Sequence, residues 1–275
     1  MSVTGQARTA GRAAANSRAL EVTARAGFLA RGAIYVLIGL IAIQIAVGRG
    51  GQADRGGALA QIAAKSYGAL VLWLLVVGFA GLALWRFSEA LFGAHGPGGH
   101  ETGERVKSAA RAVMYAFFAV STAQLVTGAS ASATQNGNSQ SQTLTARVMA
   151  YSGGRILVGL LGVAVVVIGV LLAREGWTKQ FLKVMNLAGS PTGTRTLVTR
   201  LGTVGGVARG IVITLAGIFF VVAAVQFTPS NAQGIDGTLR AFAQTPLGPL
   251  LLVPVGLGLV AFGLFSWCEA RWRRV

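Results

Sequence analysis

Apolar residues run in long unbroken stretches along this chain, and polar residues collect in the short segments between them. Six stretches are long enough to matter: roughly residues 28–47, 69–92, 109–127, 155–173, 207–227 and 247–268. A helix crossing about 30 Å of hydrocarbon needs about 20 apolar residues. The strands of a membrane barrel would be short and alternating. These runs are continuous, so they predict six transmembrane helices, whose backbone polar groups are satisfied within each helix. The first run is too long for the apolar core of a signal peptide, and no small-x-small cleavage site follows it, so it is read as a retained span. Segments 57–65, 143–150 and 237–244 are short, apolar and weakly charged. They predict small helices on the outer surface, with Asp236 as an N-cap.

The runs repeat. Shifting residues 56–90 by 180 positions lays them on 236–270 without a gap. Gly57, Leu59, Ala63, Gly68, Leu70, Leu72, Gly78, Leu84, Glu89 and Ala90 then meet identical residues, ten in 35 positions. The odd-numbered spans open alike, with Ala30-Arg31-Gly32, Ala110-Arg111-Ala112 and Ala208-Arg209-Gly210. Tyr35 and Tyr115 follow four residues after the first two arginines, and Ile213 after the third. The unit is a hairpin: an Arg-led span, a short external segment and a return span. The organisation predicted is a basic, disordered N-tail over 1–25, hairpin 26–92, linker 93–104, hairpin 105–181, linker 182–201 and hairpin 202–275. All three hairpins start on the same side, so they are parallel repeats about an axis along the membrane normal. The middle one is the most divergent, and its polar stretch 128–143 reads as a flexible loop.

Composition agrees with a membrane protein. Hydrophobic residues are 53% of the 275 and charged residues 12%, against about 25% charged in a soluble domain. The net charge of +16 would suggest nucleic acid if it were spread over the chain, but it is confined to the ends of the spans. Eighteen of the 24 Lys and Arg fall in the N-tail, the 86–111 and 174–209 segments and the C-terminus, and six in the opposite loops. The positive-inside rule then puts both termini in the cytoplasm. Trp85, Trp177, Trp267 and Trp272 mark the cytoplasmic interface and Trp73 the outer one. The single Cys268 allows no intrachain disulfide and reads as a small hydrophobe.

At this point the chain resembles a bacterial, mostly actinobacterial, family of six-span membrane proteins built from three such repeats and known only as a domain of unknown function. The resemblance is carried by Ala30-Arg31-Gly32-Ala33-Ile34-Tyr35, by Ala83-Leu84-Trp85-Arg86, by Thr178-Lys179-Gln180-Phe181, by the run from Gly234 to Ala241 (GIDGTLRA), and by Cys268-Glu269-Ala270-Arg271. It covers about residues 20–274. It implies the repeat fold and the plasma membrane. It implies no activity, and it carries over no catalytic residue.

Candidate chemistry is sparse. No ionisable residue lies at mid-depth in any span, which speaks against a proton-coupled carrier. Arg31, Arg111 and Arg209 sit at the cytoplasmic starts of the odd spans, and Glu89 and Glu269 at the cytoplasmic ends of the second and sixth. They are either snorkelling arginines and ion pairs that fix hairpin packing, or a ring of charge that gates a path or binds an anionic headgroup. Gln44, Gln124 and Gln226 lie late in the odd spans, as interhelical hydrogen bonds, interfacial residues or pore lining. Gly206-x-x-x-Gly210, Gly78, Gly81, Gly256, Gly258 and Gly263 read as close-packing sites inside the monomer. Pro254 should kink the sixth span or free a carbonyl. His95, His100, Glu101 and Glu104 match no strong zinc pattern and read as loop. No catalytic motif occurs, so no metal, cofactor or catalytic residue is expected.

Two functions follow as expectations. The first is a non-enzymatic accessory or scaffold protein of the bacterial plasma membrane. Its partners would be another membrane protein or a second copy, and anionic headgroups at the cytoplasmic face. The alternative is a small channel or transporter with a path along the pseudo-threefold axis, which a dry, tightly packed axis would count against.

Overall fold

The computed structural model describes residues 18–48, 53, 55–93, 101–127, 137–151 and 153–273. Among the described residues, six long helices are apolar enough to span a membrane: α1 (Arg18–Ala46), α3 (Gly68–Phe92), α4 (Thr102–Val126), α6 (Gly154–Trp177), α7 (Thr192–Gln226) and α9 (Gly248–Trp272). Three shorter helices join them in pairs: α2 (Arg55–Ala63), α5 (Gly137–Met149) and α8 (Ile235–Ala243). Among the described residues there is no strand, only an isolated bridge between Met185 and Arg273. The chain is therefore an all-α polytopic protein of three parallel helical hairpins. The basic tail below residue 18 and the pair His95 and His100 lie outside the described residues.

The repeats join where one ends and the next begins: α9 packs along α1, α3 along α4 and α6 along α7. Glycine spacing explains two of these junctions. Gly32 and Gly39 on α1 face Gly263 and Gly256 on α9, each pair seven residues apart. Gly162, Gly169 and Gly176 repeat the interval along α6 against α7. A seven-residue period keeps one stripe facing a nearly antiparallel neighbour. A Cβ on Gly263 would sit 2.6 Å from the Gly32 carbonyl oxygen, so the backbones touch only because both residues lack one. Gly78, Gly81, Gly206, Gly210 and Gly258 likewise meet neighbouring spans of the same chain. Within the first and third hairpins the two spans also pack together, α1 on α3 and α7 on α9, whereas α4 and α6 share no packed interface. The ring of six is open on that side.

The axis is filled. Ile34, Ile38 and Ile41 of α1, Tyr115 and Ala119 of α4, Val212 of α7 and Leu259 of α9 belong to one buried apolar core. Leu59 of α2 and Leu239 of α8, paired by the repeat, drive into it from the end opposite the termini. Between α1, α7 and α9 there remains a void of about 10 Å³, at the lower limit for one water.

Several local expectations change. Residues 192–201, assigned to a linker, are the first turns of α7, held there because Val198 is fully buried beneath Phe181 and Phe265. Residues 137–143, read as flexible loop, are the start of α5. Asp236 lies inside α8 rather than at its N-cap; Oδ1 accepts the Ala53 N–H at 2.8 Å and Oδ2 pairs with Arg240 at 3.0 Å, tying the third repeat to the first. Pro254 is accommodated without ending α9.

Candidate functional site

The helix ends nearest the two termini gather the arginines. Arg31 on α1 pairs with Glu269 on α9, and its Nε donates to Ser266 Oγ at 3.1 Å. Its Nη1 also donates to Tyr115 Oη on α4 at 3.4 Å, so one side chain links all three repeats. Glu269 uses its other oxygen for Arg273, one turn further along. Glu89 accepts from Arg86 Nη1 at 2.5 Å, three residues earlier on the same helix, and from Ser108 Oγ at 3.2 Å across the α3–α4 junction. Arg31, Arg86, Glu89 and Glu269 are all buried. Of the acids and arginines expected at one depth, Arg31 and Glu269 form a cross-hairpin ion pair. Glu89 instead turns to Arg86, which opens the basic segment 86–111.

Aromatic rings line the cluster. Phe262 lies between Arg31 (5.4 Å) and Arg209 (4.8 Å), and Phe28 between Arg31 (5.0 Å) and Arg273 (5.4 Å). Trp85 takes Arg86 at 4.2 Å and Arg273 at 5.2 Å. Tyr35 lies under Arg209 at 5.7 Å. The ring faces offer negative potential to cations held away from water. Trp85 is therefore not an interfacial anchor: it is 3% exposed and packs edge-on against Phe28.

Arg111 and Arg209 are half-buried, and neither forms a salt bridge with an acidic side chain among the described residues. Arg209 shares the Phe262 ring with Arg31, and Arg111 stands on α4 between Ser108 and Tyr115. The Nε atoms of Arg86, Arg209 and Arg273 are buried without a hydrogen-bond partner.

A second use of arginine was not legible as function. Arg25 Nη1 donates to the carbonyls of Ala270 and Arg271, and Arg105 donates to those of Ala90 and Leu91 at 2.8 and 2.9 Å. At the opposite end Arg155 does the same for Ala224 and Val225 at 2.6 and 2.7 Å. Each caps the last carbonyls of an adjacent antiparallel span. Arg25 and Arg105 both stand six residues before an odd-span arginine, which was the available signal.

The glutamines lie elsewhere. Gln44 and Gln124 each stand 13 residues after their arginine, which at about 100° per residue is about 220° around the helix. Both are exposed, on the flank that carries Leu40 and Val120. Gln226 is exposed at the end of α7 and accepts from Asn231 Nδ2 at 2.5 Å. Cys268 packs with the Phe181 cluster, where Phe181 meets Phe265 edge-on at 4.9 Å.

Residues 26–93, 106–179 and 204–273 each match the family described as Domain of Unknown Function (DUF1206). The chain belongs to that family and carries its domain three times. It is 28% identical over 244 residues to the uncharacterized protein YxxB of Bacillus subtilis (strain 168), covering 88% of this chain and 87% of that one. No solved structure matches the chain. The three matches put Arg31, Arg111 and Arg209 in the same sixth place, and Glu89, Glu175 and Glu269 each four residues before the end. Glu175 is thus the third acid of the set. It is half-buried and forms no salt bridge with Arg209.

Proposed function

We propose that this multi-pass protein is a non-enzymatic accessory or scaffold component of the bacterial plasma membrane, with both termini in the cytoplasm, that docks another membrane protein on the open side of its middle repeat. One observation carries the reading. Where α3 buries Gly81, Leu82 and Trp85 against α1, the corresponding residues of α6, in the register of the family matches, are Val167, Ile168 and Leu171, each at least half exposed. On α4 Phe117 is 50% exposed. The spans of the middle hairpin thus keep an apolar flank that the other two hairpins bury internally. Two further features support the reading. The buried acids are engaged by arginines rather than presented to a cavity, as an acid–base catalyst would need. The filled axis, stoppered by Leu59 and Leu239, counts against a path between the repeats. The bias of basic residues supports the orientation.

The test is a mild-detergent pull-down of the chromosomally tagged protein from its own host, read by mass spectrometry for stoichiometry. The expected result is an integral membrane partner near 1:1, lost from a Val167→Trp variant that unfolds at the wild-type temperature. Recovery of the protein alone would sink the docking role. Solute flux into liposomes, absent in Arg31→Ala, would revive the axial path.

A further inference from the structure

The cluster at the termini end holds more positive charge than its carboxylates neutralise. Glu269 is shared by Arg31 and Arg273, and Glu89 is taken by Arg86. Arg209 lies over the same Phe262 ring as Arg31, and Arg111 stands on α4 between Ser108, which bonds Glu89, and Tyr115, which bonds Arg31; they add two more cations and no salt bridge. A guanidinium withdrawn from water is costly unless its donors meet an acceptor, and neighbouring cations raise that cost. The aromatic rings offset only part of it. Phe262 and Tyr35 lie over Arg209, and a stacked ring covers the face of a guanidinium while its N–H donors point outward in the plane. Accordingly Arg209 Nε is buried without a partner, as is Nε of Arg86, a residue only 4% exposed. Such donors are met by water or by an ion, and of the two only an anion also offsets the excess charge.

The missing acceptor must be an anion with several oxygens, able to take in-plane donors from more than one arginine. Phosphate fits this best, because the guanidinium fork matches its geometry and a carboxylate offers only two oxygens. Access exists: Arg111 and Arg209 are each half-buried, not sealed. The middle repeat supplies Arg111 and Tyr115, the third Arg209 and the first Arg86, so the group would sit where all three repeats converge. We infer that Arg111 and Arg209, backed by Arg86, bind a phosphate group at the termini end of the bundle, donated by an anionic lipid headgroup or by soluble phosphate. The inference does not depend on the docking role proposed above.

Thermal unfolding of the full-length, delipidated protein in detergent tests it, with phosphatidylglycerol, phosphatidylcholine and inorganic phosphate as separate additions. A ligand at about 100 times its dissociation constant should raise Tm by about 5–10 °C in a chain of this size. That rise is expected with phosphatidylglycerol and not with phosphatidylcholine. It should be lost in Arg111→Gln/Arg209→Gln, partly kept in Arg209→Lys, and fully kept in Arg195→Gln, which removes an exposed arginine outside the cluster. An equal rise with inorganic phosphate would make the source soluble while keeping the site. Without any addition, Arg209→Gln should unfold at or above the wild-type temperature, because it removes an uncompensated charge. A purely structural arginine would give the opposite sign, and that result overturns the inference. So would equal shifts in wild type and the double variant, or equal shifts from the two lipids.

Discussion

Glu269→Gln should be the most damaging conservative change in the molecule. The substitution keeps shape, removes one charge and turns one of the two accepting oxygens into an NH2 donor that faces an arginine. That charge serves two arginines, with Glu269, Arg31 and Arg273 side chains only 4%, 10% and 14% exposed. At an effective dielectric near 20, a pair about 4 Å apart is worth about 4 kcal/mol. Removing one partner of a buried pair costs about 3–5 kcal/mol, because the other charge stays buried. Arg31→Met removes a cation and leaves Glu269 its second arginine. It loses the donations to Ser266 and Tyr115, each worth about 1.5–3 kcal/mol or less for a charged donor. The double variant should therefore recover part of what Glu269→Gln loses, with a coupling of about 2–3 kcal/mol. Equilibrium unfolding in mixed detergent micelles, followed by tryptophan fluorescence, measures all four corners of the cycle. A Glu269→Gln cost within about 0.5 kcal/mol of zero would place the pair in the range of exposed salt bridges and refute the claim that it locks the third hairpin to the first.

Further outcomes follow from single contacts, each readable by the same unfolding assay. Gly169→Ala would set a Cβ 2.5 Å from the Thr214 backbone nitrogen and should cost about 1–3 kcal/mol. Gly159→Ala on the same helix meets only Ala224 Cβ at 3.5 Å and should be neutral or gain up to about 1 kcal/mol of helix propensity. Phe181→Ala should cost about 3–5 kcal/mol, freeing the first turns of α7 to protease while the rest of that helix stays protected. Asp236→Ala strands the Ala53 N–H and should cost about 1–3 kcal/mol, whereas Asp236→Asn keeps that acceptor and loses only the half-exposed Arg240 pair.

What the sequence discloses here is set by one-dimensional signals. Hydropathy runs locate the spans because the bilayer imposes their length, and repeated Arg and Gly positions reveal three hairpins because each copy solves the same packing problem. The rotation of Gln44 and Gln124 away from Arg31 and Arg111 was also legible, since 13 residues on a helix is fixed arithmetic. Partner choice was not. Glu89 can reach either a span arginine or Arg86, and only the approach of α3 to α4 decides it. Trp85 has an interfacial composition and position, but its neighbours Phe28 and Arg273 come from 57 residues upstream and 188 downstream. The helical start at Thr192 was hidden because it depends on Phe181 and Phe265, not on local hydropathy.

The open side of the ring has a related cause, and it separates this protein from a symmetric three-hairpin bundle. A span apolar all round gives no hint of which face meets protein. α6 is such a span, yet its glycines mark one stripe only, the one against α7. Glycines let α1 and α3 approach within their hairpin, with Gly27, Gly78 and Gly81 at contact. At the α6 positions matching Gly81 and Leu82, the chain has Val167 and Ile168, and Gly103 of α4 has nothing near it. Without a hydrophobic drive between helices in lipid, association needs such close contact. The middle hairpin lacks it internally and is held instead by its neighbours, α4 by α3 and α6 by α7. Introducing alanine at Val167 and Ile168 should then leave the fold unchanged, because no packed interface is there to lose and alanine favours the helix, while a partner seated on that flank would be released. Unaltered stability together with an unaltered partner would show that the partner sits elsewhere.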